Sequence, residues 1–358
     1  MSIQGSGVRR WGLGALSFLR ELSQVRNRPL TPNSSPLTSS STAIAFAAYQ
    51  DALHPAGPYA NTIAGVWWFY LIVCTIVFVA VWIALFIAIR RARRRVEPDT
   101  VAASAPRVMT LALAATTGLL LAMLVSSIAA ARALSPQGKR VTREVQVTGH
   151  QWWWDIQYLD ERPDRIAQTA NELHVPIGER VRVILQSSDV IHSFWIPNLH
   201  GKRDLIPGQK STLLIQADQP GIYRAQCAEF CGLQHAKMAF IVIAEPRANF
   251  EQWLASMRAS AAQPKTADEQ RGQQVFLMTS CVMCHAVKGT TAGSRTGPDL
   301  THVGSRRTLG AAIIQNNRGN LSGWIADAGG IKPGVLMPPN PLDPEDLHAL
   351  VAYLESLK

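Results

Sequence analysis

Net charge is what most of this chain lacks. Residues 140–260 hold 13 Lys+Arg against 13 Asp+Glu, and residues 261–358 hold 9 against 8. The overall charge of +10 therefore sits in the first third, where residues 1–139 hold 13 basic against 4 acidic residues beside long apolar runs. A nucleic-acid groove needs a basic surplus on a folded face, and neither later segment has one. No nucleic-acid partner is expected.

Charge is absent altogether from two stretches, 66–89 and 108–131, each 24 residues long. At ~1.5 Å per residue both exceed the ~30 Å hydrocarbon core of a bilayer. The competing reading, a pair of buried core helices, is disfavoured by unbroken apolar runs of this length. Arg90, Arg91, Arg93, Arg94, Arg95 and Arg107 lie between them, whereas no Lys or Arg occurs between Arg28 and Arg90. The positive-inside rule places that short loop in the cytoplasm, so residues 51–139 form a transmembrane hairpin and all that follows is extracytoplasmic. In a bacterium this is the periplasmic side of the inner membrane. Residues 1–50 are poorly defined: Arg9 and Arg10 precede a broken apolar patch that makes a poor signal peptide, and TPNSSPLTSSST is a polar linker.

Cysteine is scarce too, five in 358 residues, yet two of them fall in CAEFCGLQHAKM, residues 227–238. The surrounding segment, 140–250, has short Val/Ile-rich runs such as VTREVQVTG, VRVILQSS and AFIVIAE, separated by turn residues. That texture predicts an antiparallel β-sandwich or barrel. Within the stretch, Cys227, Cys231, His235 and Met238 offer thiolate, imidazole and thioether, a soft set suited to copper. A disulfide would not need the histidine and methionine, and zinc has little use for a thioether. A copper loop needs one more ligand from a neighbouring strand. His192, in SSDVIHSFWIP at the end of an expected strand, is the candidate.

The combination resembles subunit II of the haem–copper oxidases, in which a two-helix hairpin precedes a cupredoxin-like domain holding the binuclear copper centre CuA. That family's pattern, a histidine followed later by CxExCxxxHxxM, is filled at every position here. The resemblance implies that Cys227 and Cys231 bridge two copper ions. It adds His192 and Met238 to one copper, and His235 with the backbone carbonyl of Glu229 to the other. The Glu229 side chain would face a magnesium ion shared with subunit I. GHQWWWDIQY, 149–158, resembles the family's aromatic segment where electrons arrive, which makes Trp152 the candidate receiver. Packing, or contact with the membrane interface, is the alternative role for Trp152, Trp153 and Trp154.

After a polar linker assigned to 251–267, residues 268–358 carry the second cysteine pair. Cys281, Cys284 and His285 form CxxCH, the attachment motif for haem c: two thioethers and an adjacent proximal imidazole. No further cysteine lies downstream to complete a zinc site. The segment resembles an all-α class I cytochrome c. Pro298 in TGPDL would hold the proximal histidine through its carbonyl, and Met337 in GVLMPPN would be the distal ligand. Met283 is too near the motif to reach the opposite face, and Met278 is expected in packing. Asp343, Pro344 and Asp346 mark the start of a terminal helix, which class I cytochromes pack on the helix bearing Gly272 and Phe276. Trp324 resembles a residue near the haem edge.

The whole then resembles a caa-type oxidase subunit II with its own cytochrome c domain fused behind it. Electrons would pass from a soluble or membrane-anchored cytochrome c donor through haem c and CuA to subunit I, where oxygen is reduced and protons are pumped. Tethering would replace diffusional encounter with a high effective concentration. Two alternatives stand beside this: the CuA subunit of a nitric oxide reductase, and a copper-delivery protein. The latter would not need Glu229, His235 and Met238 in register, or a haem.

Overall fold

A computed structural model describes residues 50–92 and 98–358. The N-terminal segment as far as residue 49 lies outside the described residues, as do Arg93, Arg94 and Arg95 of the basic loop. Two long apolar helices come first, α1 (Pro58–Ala92) and α2 (Pro98–Leu134). Both are long and apolar enough to cross a membrane. Along them large apolar side chains such as Ile76, Phe78, Leu111 and Val125 are exposed, as lipid-facing residues must be. The Tyr70 hydroxyl donates to the Met123 carbonyl at 2.7 Å and ties the two helices together.

α1 begins ahead of the apolar run at 66 because its first turns have a separate job. Tyr59, Ala60 and Ala64 are buried, and the Tyr59 ring lies 5.3 Å from that of His200. The Ala56 amide donates to the Asn198 carbonyl at 2.7 Å. A Cβ on Gly57 would stand 2.0 Å from the Gln216 carbonyl oxygen, so this approach of hairpin to sandwich requires glycine.

The sandwich comprises two five-stranded sheets, ordered β3-β2-β1-β5-β8 and β4-β10-β9-β6-β7. Its strands are β1 (Arg143–His150), β2 (Trp153–Tyr158), β3 (Ala167–Ala170), β4 (Glu172–Pro176), β5 (Val181–Ser187), β6 (His192–Trp195), β7 (Arg203–Leu205), β8 (Ser211–Ile215), β9 (Gly221–Cys227) and β10 (Ala239–Glu245). In β1 and β5 alternating Val and Leu side chains are buried while their neighbours, all polar except Ile184, are less buried, the period-2 pattern of a half-buried strand. Trp154, Phe194 and Phe240 meet in the core, with ring centroids 4.8 to 6.0 Å apart.

Most pairings are antiparallel as expected, but β1 runs parallel to β5 and β4 parallel to β10. The second of these has a local cause. Asn171, at φ 60°, turns the chain from β3 in one sheet to β4 in the other, so β4 enters beside β10 as a sheet-switching strand and not as a hairpin arm.

The stretch assigned as a linker from 251 needs correction. It starts inside α3 (Arg247–Arg258), an amphipathic helix that buries Phe250, Leu254 and Met257. Trp253 of α3 stacks on His174, centroids 3.8 Å apart. That apolar face holds the helix to the sandwich.

The C-terminal unit holds α4 (Ala267–Met278), a two-strand ribbon β11 (Thr308–Leu309) and β12 (Ile314–Gln315), α5 (Arg318–Ala326), α6 (Ala328–Ile331) and α7 (Pro344–Ser356). Thr266 and Glu269 close a reciprocal capping box on α4. α7 packs on α4 as expected: the Phe276 and Tyr353 rings lie 6.1 Å apart, and a Cβ on Gly272 would meet the Ala349 carbonyl oxygen at 2.0 Å. Asp343 occupies the N-cap position of α7 without bonding a cap amide. Asp346 pairs instead with Arg271 of α4 at 2.8 Å.

This unit sits on the outer face of the β4-β10-β9 sheet. Ile241 and Ile243 cluster there with Ala312. The buried carboxylate of Glu172 accepts from the Arg307 and Thr308 amides at 2.6 and 3.1 Å, and Arg224 donates to the Ala312 carbonyl at 3.1 Å.

Candidate functional site

The loop after β9 folds Cys227, Cys231, His235 and Met238 back on themselves over the start of β6. His192 opens that strand; it does not close one, as the sequence led us to expect. Cys227 Sγ lies 3.7 Å from Cys231 Sγ, 3.9 Å from His192 Nδ1 and 3.2 Å from the Glu229 carbonyl oxygen. Cys231 Sγ lies 3.6 Å from His235 Nδ1 and 3.7 Å from Met238 Sδ. Donor atoms of His192, Cys227 and Cys231 all fall within 4.8 Å of one another. All six positions singled out in the sequence therefore converge, Glu229 by its carbonyl; its side chain is exposed.

The local chain explains why. Gly232, at φ +111°, reverses the loop so that His235 returns to Cys231. Gly149 leaves room for the imidazole: a Cβ there would stand 2.8 Å from His192 Cδ2. Asp189 accepts from His192 Nε2 at 2.7 Å, which fixes the tautomer and turns Nδ1 toward Cys227. Burial lowers the His192 pKa, but the hydrogen bonds to Asp189 and Cys227 outweigh it and the group ends raised.

Electrostatics favour a cation among the thiols. The hydrogen bond from Cys231 brings Cys227 down to about 3, with burial opposing and His192 assisting. That same thiol–thiol bond, and then burial, pushes Cys231 well up. Both sulfurs ionise at neutral pH only if positive charge lies between them. Two thiolates, two imidazoles, a thioether and a carbonyl in a buried pocket fit copper.

Trp152 adjoins this cluster. Its indole Nε1 and the Gln151 side-chain Nε2 both donate to the Cys231 carbonyl, at 3.0 and 2.8 Å. The other two tryptophans are engaged differently, Trp153 stacked on His150 at 4.3 Å and Trp154 buried in the core.

On its far side Trp152 lines a cavity of about 380 Å³. Cys281, Cys284, His285, Pro298, Met337 and Trp324 line the same cavity. His285 Nδ1 donates to the Pro298 carbonyl at 2.7 Å, leaving Nε2 as the free donor atom. Gly297 permits it, since a Cβ there would lie 2.8 Å from His285 Cε1. Burial lowers the His285 pKa and keeps the imidazole neutral, the form that binds metal. Met278 and Met283 are exposed, and Met283 as well as Met337 is among the cavity-lining residues.

Haem c fits this cavity on two further counts. Arg306 Nε and Thr308 Oγ1 are buried in its wall without a partner among the described residues, as groups awaiting an acidic ligand would be. The remainder of the lining is predominantly apolar. Arg306, Asp189 and Lys332 were not picked out from the sequence. Asp189 had a local signal, a carboxylate three residues before His192; the other two depend on tertiary placement.

Comparison with known proteins agrees. Residues 159–245 match the family described as cytochrome c oxidase subunit II, periplasmic domain, and residues 269–358 match the cytochrome c family. Cytochrome c oxidase subunit 2 of Alkalihalophilus pseudofirmus is 34% identical over 316 residues, covering 86% of this chain and 90% of that protein. The subunit 2 of Bacillus sp. strain PS3 is 37% identical over 227 residues, covering 60% of this chain and 62% of that one. Among solved structures, the periplasmic domain of subunit II of cytochrome oxidase from Bradyrhizobium japonicum is similar, at 27% identity and a TM-score of 0.32, covering 34% of this chain and 96% of that one. The chain belongs to the cytochrome c oxidase subunit 2 family: it is a membrane subunit of a haem–copper oxidase, with a cytochrome c domain fused behind its periplasmic domain.

Proposed function

We propose that this chain takes electrons from a cytochrome c donor and delivers them to subunit I of a terminal oxidase in the bacterial inner membrane. When bound, haem c and a two-copper CuA centre supply the one-electron redox chemistry that feeds oxygen reduction and proton translocation in the partner subunits. The observation that carries the proposal is the position of Trp152, in hydrogen-bond contact with the copper loop on one side and lining the haem cavity on the other.

In this reading the chain divides into a hairpin (51–139), a copper domain (140–250) and a cytochrome domain (268–358), with α3 packed on the sandwich where the copper domain ends. Cys227 and Cys231 would bridge two copper ions, with His192, His235, Met238 and the Glu229 carbonyl completing them. The bound copper would supply the one-electron chemistry, and the rigid β framework would hold these ligands in place as the charge changes. Cys281 and Cys284 would anchor the haem, His285 and Met337 would bind its iron, and Pro298 would hold the proximal ring. A His/Met ligand pair of that kind would suit electron transfer. The exposed Glu229 carboxylate would face a magnesium ion at the subunit I boundary, beside the exposed Phe230 that follows it in the chain.

The test is rapid mixing of the oxidised complex with a reduced cytochrome c donor. Haem c should reduce before copper. A Cys227→Ser variant should still reduce haem c but stop consuming oxygen. Oxygen uptake that persists in that variant would refute the route, and nitric oxide uptake in place of oxygen would change the acceptor.

A further inference from the structure

The segment running up to Met337 lies on the copper loop and is gripped there at several consecutive residues. Lys237 donates to the Ile331 carbonyl at 3.4 Å and Gln234 to the Pro333 carbonyl at 2.7 Å. Gly334, at φ +89°, passes beneath Leu233, where a Cβ would stand 2.8 Å from the Leu233 side chain and 3.7 Å from the Trp152 ring. Between these contacts stands Lys332, a charged residue only 1% exposed. Its Nζ donates to two backbone carbonyls, Trp152 at 2.8 Å and Gly310 at 3.0 Å.

Those acceptors belong to different halves of the periplasmic region. Trp152 precedes β2 of the copper domain and carries the indole bonded to Cys231. Gly310 follows β11 of the cytochrome domain and presses on the haem-cavity tryptophan: a Cβ there would lie 2.7 Å from the Trp324 ring. One ammonium thus joins the Met337 segment, the wall beside Trp324 and the backbone of Trp152. Fully burying a lysine is costly unless its donors are used, so a purely packing role would be better filled by an apolar side chain. Burial brings the group down to about 7, with the Cys231 sulfur working against that fall. Both of its acceptors are carbonyls, and no acidic side chain pairs with it among the described residues, which makes position, not charge pairing, the feature these bonds supply.

We propose that Lys332 is a positioning residue that pins Trp152 between the haem cavity and the copper loop, setting the contact through which the two redox sites communicate. The proposal rests on the function proposed above for Trp152, and its structural half is testable independently.

The test uses the assembled oxidase with Lys332→Met, Lys332→Gln and two reference variants, Arg224→Gln and Trp152→Phe. Arg224 holds the same interface at Ala312, away from Trp152. Hydrogen exchange reads the pin directly. Both Lys332 variants should speed exchange in peptides covering 150–154, 231–237 and the Gly310 turn, while peptides covering 239–243, at the Arg224–Ala312 contact, keep their protection; Arg224→Gln should loosen 239–243 and leave 150–154 and 231–237 protected. Leaving two buried carbonyls unpaired should slow haem c-to-copper transfer after photo-injection of an electron at least about tenfold. Donor-to-haem transfer and both metal spectra should stay unchanged. Unaltered exchange at 150–154 and 231–237 in both Lys332 variants would overturn the pin, as would equal loosening of 239–243, which makes Lys332 an ordinary interface contact. Normal transfer in Trp152→Phe beside altered exchange in Lys332→Met would remove the route through Trp152 and leave the pin standing.

Discussion

The Trp152 indole donates to the backbone carbonyl of Cys231 at 3.0 Å, which places an aromatic ring directly on a proposed copper ligand. Phenylalanine at 152 keeps a ring but loses that donor. In Trp152→Phe, electron transfer from haem c to copper should slow while the copper content holds. Flash photolysis with absorbance at both centres checks this; an unchanged rate would mean electrons leave the haem by another route.

His192 owes its orientation to Asp189, which accepts from Nε2 at 2.7 Å. Asparagine removes the charge that favours this tautomer. Asp189→Asn should weaken copper binding about tenfold or more, in line with other changes to groups that orient a ligand histidine. A competition titration of copper uptake measures it, and unchanged affinity would show that the β6 backbone alone orients the ring.

Gly272 gives α4 and α7 their close approach, with the Ala349 carbonyl oxygen 2.0 Å from where a Cβ would stand. Gly272→Ala must push the helices apart and should destabilise the cytochrome domain by about 1–3 kcal/mol. Urea unfolding followed at the haem absorbance reads the loss. A gain in stability would contradict the packing described here.

Burial raises the pKa of Glu172, against the opposing pull of His174 and of the amides it accepts from. An acid whose folded pKa lies above its unfolded value binds its proton more tightly when folded. Its stabilising contribution is therefore complete below the ordinary carboxylate range and is lost as pH rises through the raised value. Glu172→Gln keeps an acceptor for the Arg307 and Thr308 amides and removes the titration. Unfolding midpoints between pH 4 and 7 should fall less steeply with rising pH in this variant. Parallel profiles would show that Glu172 does not set the trend.

Local sequence carries the proposed metal chemistry because both candidate ligand sets are dense: four side-chain donors and the Glu229 carbonyl within residues 227–238, and the whole CxxCH motif within 281–285. Hairpin and sandwich were legible for a similar reason, since uncharged runs and alternating Val/Ile strands encode burial directly. What stayed hidden depends on distant partners. Nothing near Lys332 in sequence shows that its ammonium reaches Trp152, 180 positions away. The same holds for Arg306, whose unpartnered Nε has meaning only in a cavity wall. Residues 251–258 of α3 look like linker in sequence because Trp253, Leu254 and Met257 sit among polar neighbours, and their packing needs the sandwich face opposite. The parallel pairing of β4 with β10 depends on a sheet switch at Asn171, which residue-by-residue propensity does not encode.

The most direct test of the central claim is electron paramagnetic resonance of the copper-loaded, haem-matured oxidase, read with its visible spectrum. The expected result is hyperfine structure from one electron shared equally over two coppers, together with a low-spin haem c signal. A single-copper pattern would contradict the bridged pair built on Cys227 and Cys231, and with it the electron route proposed for this chain.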